Sequence, residues 1–324
     1  MAAGRKPPGC QTIFCKEEIT MLTNREIDIR DSFVLPYEGK YYLFGTAGKD
    51  AFTGSQRGFL GYWGTDLEHW NGPYCLFPND GTSWATRNYW APEVYHINGR
   101  FYLLGSWGIP EQSQTLCVLT ADTPLGPYRI LNDRLGRGND PTLYCQDGVY
   151  YLIHNDHMGR DEEMFATRMK EDLSAFDEEP VRIFGRADPG ITWAVGGPSE
   201  GPATFVTPTG KLLLLWSSFC RGRSKKFEAM GFHNMDYGVS ISSPEHGELH
   251  DRYIHEDILL TKPNMGHCNL FRRFDGQLML STHYPDDDSN AFGCSNPIFF
   301  EIHYVEELDS LRIDPAQFEN LPAD

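Results

Sequence analysis

Hydrophobic and polar positions alternate along most of this chain in short runs, and glycine-containing turns separate the runs. Five times, a segment begins with an acidic residue or a histidine, continues into apolar residues, turns at a glycine and resumes as a strand rich in Tyr, Phe and Leu. The segments are Asp31–Phe44, Glu93–Leu104, Asp140–Ile153, Glu200–Leu215 and His267–Leu280. Each segment has the pattern of two strands joined by a tight turn, so five β-hairpins are predicted.

The turn glycines are Gly39, Gly99, Gly148, Gly210 and Gly276. They recur at intervals of 60, 49, 62 and 66 residues, and each interval is about the length of one four-stranded propeller blade with its loops. We therefore predict an all-β fold, a five-bladed β-propeller of four-stranded antiparallel blades around a central axis. The propeller is expected to span residues 27–305, preceded by an N-terminal tail (1–26) that packs on it and followed by a C-terminal extension (306–324).

Composition narrows the class of partner. The net charge is -17 and no basic stripe interrupts the acidity, which disfavours nucleic acid and an anionic membrane surface. No apolar run approaches the length of about 18 residues that a membrane span needs, and the first residues lack the apolar stretch of a signal peptide. A cytoplasmic protein is expected, and the sequence does not indicate an oligomeric state.

The eight cysteines show no paired CxxC spacing of a zinc site, and several fall inside predicted strands. We therefore predict reduced, mostly buried thiols.

The first residues of the five segments lie at similar distances from their turn glycines: 8, 6, 8, 10 and 9 residues for Asp31, Glu93, Asp140, Glu200 and His267. Because the inner strands of a propeller all run beside one axis, residues at the same register should meet at one end of it. Carboxylates that converge in this way have their pKa values pushed apart, which can leave one acid and one base at working pH. Glycoside hydrolysis requires such a pair.

The same positions carry a resemblance to a known family. The matching motifs are Arg30-Asp31, Trp90-Ala-Pro-Glu93, Asn139-Asp140-Pro, Ser199-Glu200-Gly-Pro and Gly266-His267. In this order, over roughly residues 27–305, the chain resembles glycoside hydrolase family 43, the five-bladed arabinanase, arabinofuranosidase and xylosidase group. Two positions depart from the usual motifs, since Ser32 follows the first aspartate where proline is usual, and Cys268 follows the histidine.

The resemblance implies an inverting glycosidase. By position, Asp31 is expected to be the general base that activates water, Glu200 the general acid, and Asp140 the carboxylate that orients the acid and tunes its pKa. No cofactor is required for this chemistry. His267 resembles the family's axial histidine, which implies a calcium or other ion in the central channel; a hydrogen-bonded core histidine is the alternative.

Four further residues are predicted to contact an oligosaccharide or glycoside substrate. Trp90 and Trp193 are candidate platforms for a sugar ring, with core packing as the alternative, and Arg221 follows the predicted strand that ends near Phe219. Glu93 is expected to fix a strand start or a sugar hydroxyl.

The expected substrates are arabinofuranosides, xylosides or galactosides in short oligosaccharides. Two alternatives remain open: a related propeller glycosidase with a retaining or phosphorolytic mechanism, and an inactive sugar-binding propeller. A phosphorolytic site should add cationic side chains near the acid, and the ten residues before Glu200 contain none.

Overall fold

The computed structural model describes residues 20–47, 51, 56–112, 114–156, 163–220, 231, 236–285 and 295–321. Blade 1 contains β1 (Thr20–Thr23), β2 (Ile29–Tyr37), β3 (Lys40–Ala47), β4 (Gly58–Gly64) and β5 (His69–Pro78). Blade 2 contains β6 (Arg87–Ile97), β7 (Arg100–Gly108), β8 (Thr115–Ala121) and β9 (Arg129–Arg137). Blade 3 contains β10 (Asn139–Gln146), β11 (Val149–Asn155), β12 (Met164–Arg168) and β13 (Val181–Phe184).

Blade 4 contains β14 (Ala194–Val206), β15 (Leu212–Cys220), β16 (Asp236–Pro244) and β17 (Tyr253–His255). Blade 5 contains β18 (Gly266–Arg272), β19 (Leu278–Tyr284), β20 (Asn296–Val305) and β21 (Ser310–Ile313). Short 3-10 helices cover Glu306–Leu308 and Pro315–Asn320. Each sheet is an antiparallel meander, and the inner strands β2, β6, β10, β14 and β18 contact one another in a closed ring. The prediction of an all-β, five-bladed propeller is confirmed.

The two ends of the described chain join the blades. β1 lies within the predicted tail and pairs with β5, so that it forms a fifth, outermost strand of blade 1. β21 lies beyond residue 305, the predicted end of the propeller, and pairs with β20 as the outermost strand of blade 5. The fifth blade therefore continues to Ile313.

The apolar core is divided among the five seams between neighbouring blades. Five separate clusters of buried side chains occur, and each combines residues of two adjacent blades, including blades 5 and 1. The leucine run of β15 illustrates the cause: Leu212 and Leu214 pack towards blade 3, whereas Leu213 and Leu215 pack towards blade 5. A strand that is buried on both faces needs a continuous apolar run rather than strict alternation.

The hairpin turns set the register of the inner strands. In blades 1 to 3, two residues with positive φ form the turn, as at Asn98 (φ 50) and Gly99 (φ 77). This is the two-residue turn that matches strand twist. In blades 4 and 5 the turn is longer, since Gly210 N–H donates to Thr207 O and Gly276 N–H donates to Arg273 O.

Each inner strand carries a β-bulge near its start. Two residues of the inner strand oppose one residue of the second strand, and the first of the two, which we call the bulge centre, has a left-handed backbone. The bulge centres are Asp31 (φ 53), Ala91 (φ 44), Asp140 (φ 50), Gly201 (φ 55) and His267 (φ 46). The first three lie eight residues before their turn glycines and the last two lie nine, because the turns of blades 4 and 5 are longer. The five bulges therefore share one register around the axis.

Within the described ranges, Cys75, Cys117, Cys145, Cys220 and Cys268 are free thiols, and Cys117, Cys220 and Cys268 are buried. Cys145 is exposed, and Cys10, Cys15 and Cys294 lie outside those ranges. No helix in the described part of the chain is both long enough and apolar enough to cross a membrane.

Candidate active site

A pocket opens where the five bulges meet. Its walls include Asp31, Asp140, Glu200, Trp90 and His267, and its volume is about 140 Å³. The structure therefore brings five of the eight predicted site residues together. Bulges are common beside active sites because they redirect a side chain out of the strand's regular alternation.

The residue just before each bulge centre forms a second ring. These residues are Arg30, Trp90, Asn139, Glu200 and Gly266. The first four line the pocket. Blade 5 has no side chain at this position, and the ring of Tyr237 from blade 4 lies against Gly266 instead.

Asp31 is held from two neighbouring blades. Its Oδ2 accepts a hydrogen bond from Thr46 Oγ1 (2.6 Å), and Thr46 Oγ1 in turn accepts the backbone N–H of Ala91 (2.7 Å). The backbone N–H of Asp31 donates to His283 Nδ1 (3.1 Å). The carboxyl group and the backbone of Asp31 are thus fixed independently.

Asp140 is 4% exposed and faces the start of β14. Its Oδ2 accepts hydrogen bonds from the backbone N–H of Gly201 (3.2 Å) and from Asn155 Nδ2 (3.3 Å). Because Gly201 directly follows Glu200, Asp140 fixes the backbone that carries Glu200.

Glu200 receives a hydrogen bond from outside the inner ring. Tyr237 Oη donates to Glu200 Oε1 over 2.6 Å. Tyr237 is 1% exposed and belongs to β16, the third strand of blade 4.

His267 lies between two of the carboxylates. Its Nδ1 is 3.3 Å from Asp31 Oδ1 and 3.7 Å from Asp140 Oδ2, and its backbone N–H donates to Ser217 Oγ (2.8 Å). The residue therefore contacts the predicted catalytic carboxylates directly.

The ion expected at His267 stays a prediction. Among the residues that the structure describes, no group of three or more His, Cys, Asp or Glu side chains is arranged to hold a metal ion. Calcium prefers six to eight oxygen ligands, and the ring nitrogen of His267 faces carboxylates that already accept other hydrogen bonds. The reaction proposed below uses carboxyl groups alone.

The pKa values of Asp31 and Asp140 move in opposite directions. Burial acts to raise the pKa of Asp31, but His267, His283 and Arg30, together with the Thr46 hydrogen bond, outweigh it, and the net shift is downward. Burial, reinforced by the negative charges of Glu200 and Asp31, raises the pKa of Asp140 well above its usual range. Asp31 is thus favoured as a carboxylate, and Asp140 is favoured as the protonated acid.

The two predicted tryptophan platforms differ. Trp90 is half-buried in the pocket wall, and its Nε1–H donates to Ala51 O (2.7 Å). Trp193 is 2% exposed and packs on Trp216 with ring centroids 5.0 Å apart. The prediction for Trp193 is corrected, because its ring fills the seam between blades 3 and 4 and offers no face to a sugar.

Glu93 lies outside the pocket wall and is 6% exposed. Its Oε2 accepts hydrogen bonds from Tyr95 Oη and from Thr142 Oγ1 (2.7 Å). It lies two residues after the bulge centre Ala91, so its register differs from that of the other predicted residues, and it links blades 2 and 3 instead of reaching the pocket. Arg221 lies outside the described residues, as do most residues of the neighbouring loop.

Seven pocket residues were not predicted as site residues from the sequence: Arg30, Thr46, Ala51, Asn139, Pro198, Phe219 and Tyr237. Thr46 pairs with Arg30 across the first hairpin, so counting outwards from the turn at Gly39 would have placed it beside Asp31. Tyr237 lies in β16, the third strand of blade 4, and no local signal in the sequence marks it.

This arrangement suits acid–base chemistry at one carbon centre. An ionised carboxylate at Asp31 can accept a proton from water, and a protonated carboxyl group at Glu200 can donate one. The walls of the pocket are partly buried, and charges interact more strongly away from bulk water. The pocket therefore strengthens the electrostatic interactions of both carboxyl groups.

Comparison with solved structures gives the same fold. An endo-arabinase from Bacteroides thetaiotaomicron superposes with a TM-score of 0.73 at 22% identity, covering 90% of this chain and 99% of that one. An endo-1,4-beta-xylanase from the same organism gives 0.71 at 22% identity over 91% and 97% of the two chains. An alpha-L-arabinofuranosidase from Lactobacillus brevis gives 0.68 at 14% identity over 86% and 92%.

A search of curated protein sequences found no match. The family model described as glycosyl hydrolases family 43 matches residues 25–296, which is most of the chain. The protein therefore belongs to glycosyl hydrolase family 43 and is a glycosidase with a carbohydrate substrate.

Proposed function

We propose that the protein is an inverting glycosidase that cleaves arabinofuranosides, xylosides or galactosides in short oligosaccharides. Asp31 acts as the general base, Glu200 as the general acid, and Asp140 positions Glu200. The observation that carries this proposal is that the three carboxyl groups line one pocket, with Asp31 favoured as an ion and Asp140 favoured as an acid.

In the proposed reaction, Asp31 removes a proton from water as the water oxygen attacks the anomeric carbon. The bond from that carbon to the leaving oxygen breaks, its electron pair stays on the oxygen, and Glu200 donates a proton to it. One direct displacement inverts the anomeric centre. The structurally similar arabinase, xylanase and arabinofuranosidase support arabinofuranosides and xylosides within this range.

The first test is a panel of 4-nitrophenyl glycosides, including α-L-arabinofuranoside, β-D-xyloside and β-D-galactoside. Proton NMR of the first-formed sugar should show inversion, and retention would contradict the mechanism. Parallel reactions with and without inorganic phosphate identify a phosphorolytic enzyme, which would turn over only with phosphate.

The second test assigns the acid. Glu200→Gln should lower kcat/KM by about 10²–10⁴-fold, since the glutamine cannot donate the proton. Glu245→Gln is the matched control, because Glu245 pairs with Arg252 on the surface of the same blade, away from the pocket, and should leave activity unchanged. Full turnover by the Glu200 variant would disprove the assignment.

A further inference from the structure

Tyr237 reaches the pocket by an unusual route. The other residues of the ring that contains Glu200 come from the inner strands, whereas Tyr237 comes from the third strand of blade 4. At the blade 5 position of that ring stands Gly266. A Cβ atom added to Gly266 would lie 1.9 Å from Cε1 and 2.1 Å from Cδ1 of Tyr237. The phenol ring therefore occupies the place of the missing side chain.

The conformation of Gly266 does not require glycine. Its φ is not in the left-handed region, unlike that of Gly201. The close approach of Tyr237 is therefore the reason that glycine is needed. Phe219, in the adjacent strand, packs on the same ring with centroids 4.9 Å apart. The phenol is held by both neighbours.

We propose that Tyr237 is a positioning residue for the general acid, an inference that rests on the function proposed for Glu200. Its hydroxyl donates to Glu200 Oε1 over 2.6 Å, so the transferable proton belongs on Oε2. The confined ring fixes the rotation of the carboxyl group and hence the direction in which Oε2 faces.

The hydrogen bond also changes during the reaction. When the proton moves from Oε2 to the leaving oxygen, the bond to the anomeric carbon breaks, and Glu200 becomes a carboxylate. The Tyr237 hydrogen bond then has an ionised acceptor and becomes stronger. Tyr237 thus stabilises the state that the acid enters as it gives up its proton, and its contribution should grow with the need for acid catalysis.

The experiment compares two leaving groups on the sugar that the enzyme hydrolyses fastest. A methyl glycoside needs protonation of its leaving oxygen, whereas a 2,4-dinitrophenyl glycoside does not. Tyr237→Phe should lower kcat/KM for the methyl glycoside by about 10- to 100-fold, the range for a hydrogen bond to a charged group, with a far smaller loss for the dinitrophenyl glycoside. The alkaline limb of the pH–rate profile should also move.

Tyr253→Phe is the matched control. Tyr253 is another buried tyrosine of blade 4, but its hydroxyl donates to Leu249 O (3.1 Å) outside the pocket. Its replacement should affect both substrates equally. Gly266→Ala provides a second route, since the added methyl group must displace the Tyr237 ring, and it should reproduce the dependence on leaving group.

Equal losses on both substrates, or no loss, in Tyr237→Phe would overturn the positioning role while leaving the glycosidase assignment intact. A wild-type enzyme that hydrolyses no glycoside, or a Glu200→Gln variant with full activity, would instead refute the proposed function, and the role of Tyr237 with it.

Discussion

Asp31, which is partly buried, and Asp140, which is buried, are both aspartates at bulge centres, yet their surroundings favour opposite charge states. Burial raises the pKa of Asp31, but His267, His283 and Arg30, together with the Thr46 hydrogen bond, outweigh it. Asp140 instead faces the carboxyl groups of Glu200 and Asp31, which add to that effect. The charges of the neighbouring side chains, rather than burial itself, therefore favour an ionised Asp31 and a protonated Asp140.

Glu93 gives a prediction that concerns stability. Burial raises the pKa of Glu93 to about 8, although hydrogen bonds from Tyr95 and Thr142 oppose the shift. An unfolded chain loses this proton near the ordinary value of 4.5. The stability contributed by the proton is therefore fully present below pH 4.5 and is lost as the pH rises towards 8. Gln cannot ionise, so Glu93→Gln should be spared this loss.

Urea unfolding of both proteins at pH 5 and pH 8 measures the effect. The free energy of unfolding of Glu93→Gln, relative to wild type, should increase by about 2–4 kcal/mol between the two pH values. Glu171→Gln, at an exposed site, should show no such change. A difference that is the same at both pH values would show that Glu93 does not retain its proton on folding.

At the scale of single elements, the bulge is the feature that makes an inner strand functional. Its left-handed residue is Asp, Ala, Asp, Gly and His in blades 1 to 5, so a Cβ atom is compatible with the backbone at four of the five positions. Strained residues of this kind persist only where the surrounding structure holds them. The backbone conformation alone therefore does not explain why position 201 is a glycine, and its close contacts must do so.

Gly201→Ala should damage the site. The new Cβ would lie 2.8 Å from the Cα of His267 and 2.9 Å from its Cγ, and a backbone atom cannot move aside easily. His267 would shift away from Asp31 and Asp140, so we expect kcat/KM to fall at least about tenfold.

Gly99→Ala is the matched control for this change. Gly99 also has positive φ, but nothing lies within 4 Å of an added Cβ, and the residue is at the opposite end of an inner strand. Thermal unfolding should show a cost of about 1–3 kcal/mol, with unchanged kcat/KM. If both variants kept full activity, the contact between blades 4 and 5 would not matter for the site.

The hairpin repeat predicts the inner strands and the convergence of Asp31, Asp140, Glu200 and His267, because these positions are fixed by counting from a turn. The longer turns of blades 4 and 5 add one residue to this count. In blade 2, Glu93 lies six residues before its turn glycine, whereas the bulge centre Ala91 lies eight before it, and only the position of the bulge shows that Ala91 is the equivalent residue. Trp193 and Tyr237 depend on packing between strands that are distant in sequence, and no local pattern specifies which neighbour a ring will meet.

At the scale of the whole molecule, the ring closes through packing between complete blades. Blades 5 and 1 share an apolar cluster, and Ser32, at a position where the family motif usually has proline, strengthens their seam. The Ser32 hydroxyl donates to Thr282 O (3.0 Å), and Ser281 Oγ donates to Ser32 O (2.5 Å). Because the inner strands form the pocket, losing any blade should open the site.

Removal of residues 306–324 tests this dependence. The deletion takes away β21 and the buried side chains of Leu311, Ile313 and Phe318, all in the cluster between blades 4 and 5. Each is worth about 1.5–3 kcal/mol, and their sum of about 5 kcal/mol or more approaches the whole stability of a typical domain. The truncated chain should therefore lose cooperative thermal unfolding and glycosidase activity together, although no pocket residue is removed.

Two point variants give the graded comparison. Leu311→Ala, at a fully buried position, should lower the free energy of unfolding by about 2–5 kcal/mol. Leu308→Ala, at a side chain that is 51% exposed, should change it by no more than about 0.5 kcal/mol. Both residues lie in the segment that follows β20. A larger loss of stability in Leu311→Ala than in Leu308→Ala would therefore show that burial in the seam, and not the presence of the segment alone, provides the stability. A truncated protein that unfolded like wild type would show that four blades and an incomplete fifth are enough to hold the pocket.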